Sequence, residues 1–309
     1  MASDLGFGIY HVDVQHMRDD LASAYIVVEG DRAAVIETGT TPGLHNILTA
    51  LSEIGLTPEQ VNFVCPTHAH LDHAGGAGQL MKHCPNAQLI IHPRGARHMI
   101  DPAALIAGAT SVYGDEEMAA TYGEILPIDS ARVTEAPDEF VVNHNGRKLV
   151  FRDSPGHAKH HYVVWDEKSK GFFTGDTFGL SYRETDVNGV PYIMPTTTPV
   201  QFDPEALHRS INMMLSYQPQ RMYLTHYGML DAVEKRAKEL IRRVHDYVLI
   251  ARRFSAVENR KEALEEALMQ ASINDLRAMG SDQPEQEIRD CLSFDIELNA
   301  QGLEVWLDK

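Results

Sequence analysis

Three apolar runs open the chain, at residues 8–14, 24–30 and 33–38, and their alternation and clustering is that of strands. Gly30-Asp31, between the last two, is a two-residue hairpin signal, so the pattern predicts an antiparallel meander. The period then changes. Thr41-Pro42-Gly43 opens an amphipathic helical pattern to Ile54, and Thr57-Pro58-Glu59 leads into an apolar run over 61–65 that reads as a buried strand. A helix through Cys84, a strand over 88–91 and a helical stretch from Pro93 continue the alternation, which predicts an α/β fold.

Residues 93–126, rich in Ala, Met and Gly, read as a helical insertion before a second set of strands. Two strand-like runs, 140–144 and 148–152, flank Asn145-Gly146, the clearest hairpin signal in the chain. Residues 179–204, punctuated by Pro191, Pro195, Pro199 and Pro204, are expected to form a long irregular segment that walls a pocket. Past Leu230 the pattern is helical, over about 230–250, 260–279 and 284–298. The expected organisation is a main catalytic domain at 1–229 and a helical extension at 230–309 that caps a substrate or builds a homodimer.

The chemistry concentrates just after the 61–65 run, where Thr67-His68-Ala69-His70-Leu71-Asp72-His73 packs three histidines and an aspartate into seven residues. An extended stretch would aim His68, His70 and Asp72 one way, with His73 reaching around the following turn. Imidazole and carboxylate are ligands of borderline divalent cations, and no thiolate accompanies them. Three later strand-like runs each end on a partner of the same kind: Ser154-Pro155-Gly156-His157, Thr174-Gly175-Asp176-Thr177 and Thr225-His226-Tyr227-Gly228. Gly156 and Gly175 permit close backbone approach beside their ligands.

The ordered set HxHxDH, then a histidine after glycine, an aspartate after glycine and a final histidine, resembles the metallo-β-lactamase superfamily. The resemblance implies a four-layer αββα sandwich with the site at the strand ends and two divalent metal ions, zinc first, iron or manganese also suited. It places His68, His70 and His157 on one ion, Asp72, His73 and His226 on the other, and Asp176 between them. Two such cations share a water lowered toward neutral pKa, so the expected reaction is attack by a metal-bridging hydroxide, with Asp72 orienting it. Tyr182 and Tyr227 are the candidate electrophilic hydroxyls; His161 is expected to support the ligands or the core, and His11, His45 and His92 to be structural.

Within the superfamily the helical tail is similar to hydroxyacylglutathione hydrolases and to the thioesterase-like proteins of quinolone biosynthesis. The chain has Gly179-Leu180-Ser181-Tyr182-Arg183 where the glutathione enzymes carry a GCGR-type basic segment. The expected activity is hydrolysis of a small ester-like substrate, with a thioester as the leading expectation. A lactone of the acyl-homoserine type, a small phosphodiester, and a metal-stabilised binding or sensing protein are the alternatives.

Charge narrows this further. With 27 Lys and Arg against 44 Asp and Glu, the net charge of −17 repels polyphosphate, so a small-molecule substrate rather than nucleic acid is expected. The three cysteines form no metal or disulfide spacing, and no 18-residue apolar run suggests a membrane span, so a cytoplasmic protein is expected.

Overall fold

Strand residues at alternate positions belong to two different cores, and this alternation defines the layers. In the strand Ser23–Glu29, Tyr25 and Val27 face one buried cluster while Ala24 and Ile26 face another; in Arg32–Ile36, Ala34 and Ile36 face the first and Ala33 and Val35 the second. Tyr162 and Val164 of the strand Tyr162–Asp166 join Tyr25 and Val27, whereas Val163 and Trp165 point to the opposite side. The first cluster is therefore the seam between two sheets, and the second lies under helices on their outer faces. This is the four-layer αββα sandwich expected from the sequence.

The computed structural model describes residues 2–197 and 200–309, so Pro199 of the predicted irregular segment lies outside the described residues. The first sheet runs in sequence order: β1 (Ser3–Asp4), β2 (Ile9–Asp13), β3 (Ser23–Glu29), β4 (Arg32–Ile36), β5 (Val61–Cys65), β6 (Gln88–Ile91) and β7 (Val133–Glu135). Its first four strands are antiparallel, and β4 to β7 are parallel. The second sheet contains β8 (Phe140–His144), β9 (Arg147–Asp153), β10 (Tyr162–Asp166), β11 (Gly171–Gly175), β12 (Arg221–Leu224) and β13 (Gly228–Leu230), with only β11 and β12 parallel. The predicted meander and the Asn145-Gly146 hairpin are both present. His144 pairs Arg147, and Asn145 and Gly146 take φ of 51° and 94°, the positive values a two-residue turn of this hand requires.

Helices α1 (Leu44–Glu53), α2 (Leu71–Ala74) and α3 (Ala77–His83) follow strands of the first sheet. Residues 93–117 form α4 (Pro93–Ile100), α5 (Ala103–Tyr113) and α6 (Asp115–Glu117). On the other side α7 (Pro204–Ser216), α8 (Val233–Phe254), α9 (Arg260–Ala278) and α10 (Glu285–Leu307) bury leucine, isoleucine and valine against the second sheet and one another. The last helix extends nine residues beyond its predicted end at 298, because Ala300 and Leu303 continue its buried face. None of the described helices is long and apolar enough to cross a membrane.

One buried ion pair ties the hairpin to the sheet. Arg147 donates from Nε and Nη2 to the two oxygens of Asp166 at 2.8 and 2.5 Å, and from Nη1 to the Phe7 carbonyl at 2.7 Å. Burial pushes the Asp166 carboxyl up, but the Arg147 guanidinium outweighs it and holds the group below the ordinary carboxylate range. The pair is therefore at full strength above about pH 4 and is lost as the pH falls through the lower folded-state value. Arg147→Ala is expected to cost about 3–5 kcal/mol, since it strands a buried carboxylate. Urea unfolding at neutral pH checks this, and a loss under about 1 kcal/mol would contradict it.

Candidate metal centre

The C-terminal ends of β4, β5, β9, β11 and β12 lie at one edge of the sandwich, and each releases a loop into the same cleft. After β5 the chain does not stay extended through the histidine cluster. His70 has φ −66° and ψ 148° and starts α2, so Asp72 and His73 are successive residues of a helical turn whose amides at His73 and Ala74 donate to the His70 carbonyl. The expected alternation therefore holds for His68 and His70 but not for Asp72, which the helical turn swings toward His73's side.

Ligand atoms meet in three overlapping groups: His68, His70 and His157; His68, His73 and Asp176; and Asp72, His73 and His226. His70 Nδ1 stands 2.8 Å from His68 Nε2 and 3.1 Å from His157 Nε2. Asp72 Oδ2 stands 3.3 Å from both His73 Nε2 and His226 Nε2. Asp176 spans the two sets, with Oδ1 3.2 Å from His73 Nε2 and Oδ2 3.4 Å from His157 Nε2. All seven predicted ligands are thus brought together.

The other ring nitrogens are engaged, which fixes which atoms face inward. His226 Nδ1 donates to the Leu21 carbonyl at 2.8 Å, and His73 Nδ1 donates to Glu37 Oε1 at 3.0 Å. His68 Nδ1 donates to Thr67 Oγ1 at 3.1 Å, and that hydroxyl donates onward to Glu37 Oε1 at 2.6 Å. The Nε2 lone pairs of His68, His73 and His226 are consequently left for the cleft. His161, expected as support, accepts from the Asp176 amide at Nε2 (3.2 Å), with its Nδ1 against Ser154 Oγ (2.7 Å). Gly175 makes this possible: at φ 48° a Cβ there would come within 2.4 Å of Thr67 Oγ1 and 2.5 Å of His161 Nε2.

A divalent cation fits this donor set. His73 Nε2 and Asp176 Oδ1 are buried without a hydrogen-bond partner among the described residues, an arrangement costly unless an ion completes it. Burial, followed by the neighbouring histidines, lowers the pKa of His68 and His70, so both remain neutral ligands. Burial also opposes charge on His73, yet Asp72, Glu37 and Asp176 outweigh it and hold the ring well above its ordinary value. The carboxylates gathered there call for positive charge, which a proton supplies on His73 and a metal would supply better.

Glu37 is the residue that sequence reasoning missed. It is buried at the end of β4 with φ 65°, a left-handed backbone that costs a non-glycine residue about 1–3 kcal/mol. Its carboxylate also accepts from the Thr67 amide (3.1 Å) and Thr225 Oγ1 (2.9 Å). The legible signal was an acid closing an apolar run, Ile36-Glu37-Thr38-Gly39.

A cavity of about 180 Å³ opens onto the centre, walled by Leu21, Leu71, Leu105, Leu180, Phe294 and Leu298, with His16, Tyr122, Tyr182, Thr196 and Asp295 among its polar groups. Tyr182 therefore reaches the pocket. Tyr227 is not among the lining residues; its hydroxyl donates to Asp20 Oδ1 at 2.6 Å, turned to the N-terminal loop. His11 meets Ser23 Oγ, His45 the Pro42 carbonyl and His92 Asp153, outside the ligand cluster.

Residues 17–226 match the model of the metallo-β-lactamase superfamily. The chain belongs to that superfamily. Among sequence relatives is the uncharacterized protein YobT of Bacillus subtilis (strain 168), 20% identical over 222 residues, or 72% of this chain and 89% of that protein. Two solved structures share the fold at a TM-score of 0.65. One is an archaeal superfamily protein from Sulfolobus tokodaii, 20% identical, with 96% of this chain and 98% of that one covered. The other is a family protein from Thermus thermophilus, 18% identical, with 97% and 93% covered. A soil-metagenome subclass B3 metallo-β-lactamase matches only 79% of this chain and 94% of its own, at 14% identity and a TM-score of 0.54. The helical extension is thus shared with the first two folds.

Glu37→Gln keeps the side-chain shape but replaces an ionic acceptor of the His73 proton. It is expected to weaken metal affinity about 10- to 100-fold, read by competition with a chromogenic chelator; unchanged affinity would remove Glu37 from the site.

Proposed function

We propose that the protein is a dinuclear metal-dependent hydrolase of a small ester-like substrate with an apolar arm, a thioester foremost. The observation that carries this reading is Asp176 lying between two complete ligand sets, since a purely structural ion needs only one closed four-ligand site. Two divalent ions bound there supply Lewis acidity and water acidified to near-neutral pKa. Zinc suits the ligands best, and iron and manganese are accommodated by the same imidazole and carboxylate set.

The chain's own residues take these parts. Asp72, partly exposed to the cleft while its Oδ2 faces His73 and His226, orients the attacking water with its other oxygen. The leucines of the wall hold the apolar arm and exclude bulk solvent. Of the two candidate hydroxyls Tyr182 lines the wall, whereas Tyr227, engaged by Asp20, serves the packing of the N-terminal loop. No Lys or Arg lines the cavity among the described residues, which favours an acyl substrate over an anionic phosphodiester. The free thiols Cys65, Cys84 and Cys291 suit a reducing, cytoplasmic setting.

Elemental analysis of gently purified protein is expected to return about two ions per chain. Asp176→Ala is expected to lower that to about one and to cut turnover at least about 100-fold while the circular dichroism spectrum stays native. The substrate class is read from chromogenic thioesters, lactones and phosphodiesters with metal-replete protein. Turnover highest on thioesters supports the reading; highest turnover on lactones or phosphodiesters replaces it, and negligible turnover on all three favours a binding or sensing protein.

A further inference from the structure

The helical extension places one residue in the pocket that the hydrolytic reading leaves without work. Asp295, midway along α10, lines the cavity between Phe294 and Leu298 and is only 8% exposed. Apart from the metal ligands it is the only charged residue among the described lining residues. No cation lies within ion-pairing distance of it among the described residues, in a chain where Arg147, Arg243 and Arg260 all pair their neighbouring acids. The Tyr182 hydroxyl faces it as a hydrogen-bond donor, and His226 and Arg18 are the positive groups farther off. A buried acid with a hydroxyl donor but no ion-pair partner is costly to keep, and packing would be served better by a leucine at this position.

Burial pushes the Asp295 carboxyl up to about 6, and in its charged form the group is a pure hydrogen-bond acceptor. The cations bound at the centre can only favour that charged form. The group stands on an element separate from every ligand-bearing loop and lines the same cavity as Asp176 and His226. Such a layout offers two points of recognition: the metal centre for a carbonyl, and an acceptor carried by a separate helix.

We propose that Asp295 is a specificity-determining residue that accepts a hydrogen bond from an N–H group, amide or ammonium, on the apolar arm of the substrate. The inference rests on the hydrolase reading and narrows its substrate to an acyl compound bearing such a donor. Tyr182, beside the carboxylate, orients it. A substrate lacking the donor would bury the carboxylate's remaining lone pairs against an apolar arm, so discrimination follows from a penalty as well as an attraction.

The test is equilibrium binding of product-like carboxylates to the metal-loaded full chain, which needs no turnover. The probes are N-octanoylglycine, N-heptanoyl-β-alanine and N-hexanoyl-4-aminobutyrate, isomers of one chain length that move the N–H along the arm. Each is compared with its N-methyl counterpart, and 11-aminoundecanoate supplies the ammonium arm against undecanoate. At least one N–H probe is expected to bind about tenfold more tightly than its donorless partner. That advantage should fall to about twofold or less in Asp295→Ala and be partly kept in Asp295→Asn, whose amide oxygen still accepts. Melting temperature and metal content should be unchanged or raised in both variants. Equal affinity of every pair in the wild-type protein, or an advantage that survives Asp295→Ala, overturns the proposal. An advantage lost with Asp295 in a protein that hydrolyses none of the ester classes leaves Asp295 as the recognition residue and rejects the hydrolase reading instead.

Discussion

A single buried carboxylate holds the cleft together. Glu37 Oε1 accepts from the His73 ring, the Thr67 hydroxyl and the Thr225 hydroxyl, while Oε2 takes the Thr67 amide. Thr67 precedes one ligand and Thr225 another, so ligand-bearing segments from two sheets are fastened to one point. Burying a carboxylate is costly, and these donors offset that cost only while the segments carrying them keep their places. Loop position and ligand position are therefore the same constraint, and the strained backbone at residue 37 is part of the arrangement rather than a defect.

The charge pattern extends this logic outward. Asp72, Asp176 and Glu37 surround His73, and the neutral rings of His68 and His70 flank them, so the centre has a surplus of acceptors and calls for cations. The surrounding wall, Leu71, Leu105 and Leu180 with Leu298 from the last helix, is apolar and strengthens every electrostatic interaction inside it. Against that background the one remaining acid, Asp295, is conspicuous because it lines the cavity with a hydroxyl donor, Tyr182, but no ion-pair partner among the described residues.

Much of the sandwich was legible because strand and turn chemistry are local. The Asn145-Gly146 hairpin and the strands Val61–Cys65 and Gln88–Ile91 fell where the pattern put them, since period, apolar content and turn residues all agree there. The break of the extended stretch at His70 was not legible, because THAHLDH alternates like a strand and only the folded chain shows that the His73 and Ala74 amides turn back to the His70 carbonyl. The end of α10 was missed for a related reason: its last turns are held by Ala300 and Leu303, whose burial depends on partners far away in the chain.

By itself the sequence determined the α/β alternation, the strand-then-ligand units and the seven candidate ligands, because each is written within a few neighbouring residues. Only the tertiary structure decided that Glu37 gathers Thr67, His73 and Thr225, that Tyr182 faces the cleft while Tyr227 turns to Asp20, and that Asp295 enters the pocket from a helix far beyond Asp176 in the chain. A side chain's type fixes what it can donate or accept, but the partner that receives it is chosen by packing across distant segments, and no local spacing records that choice.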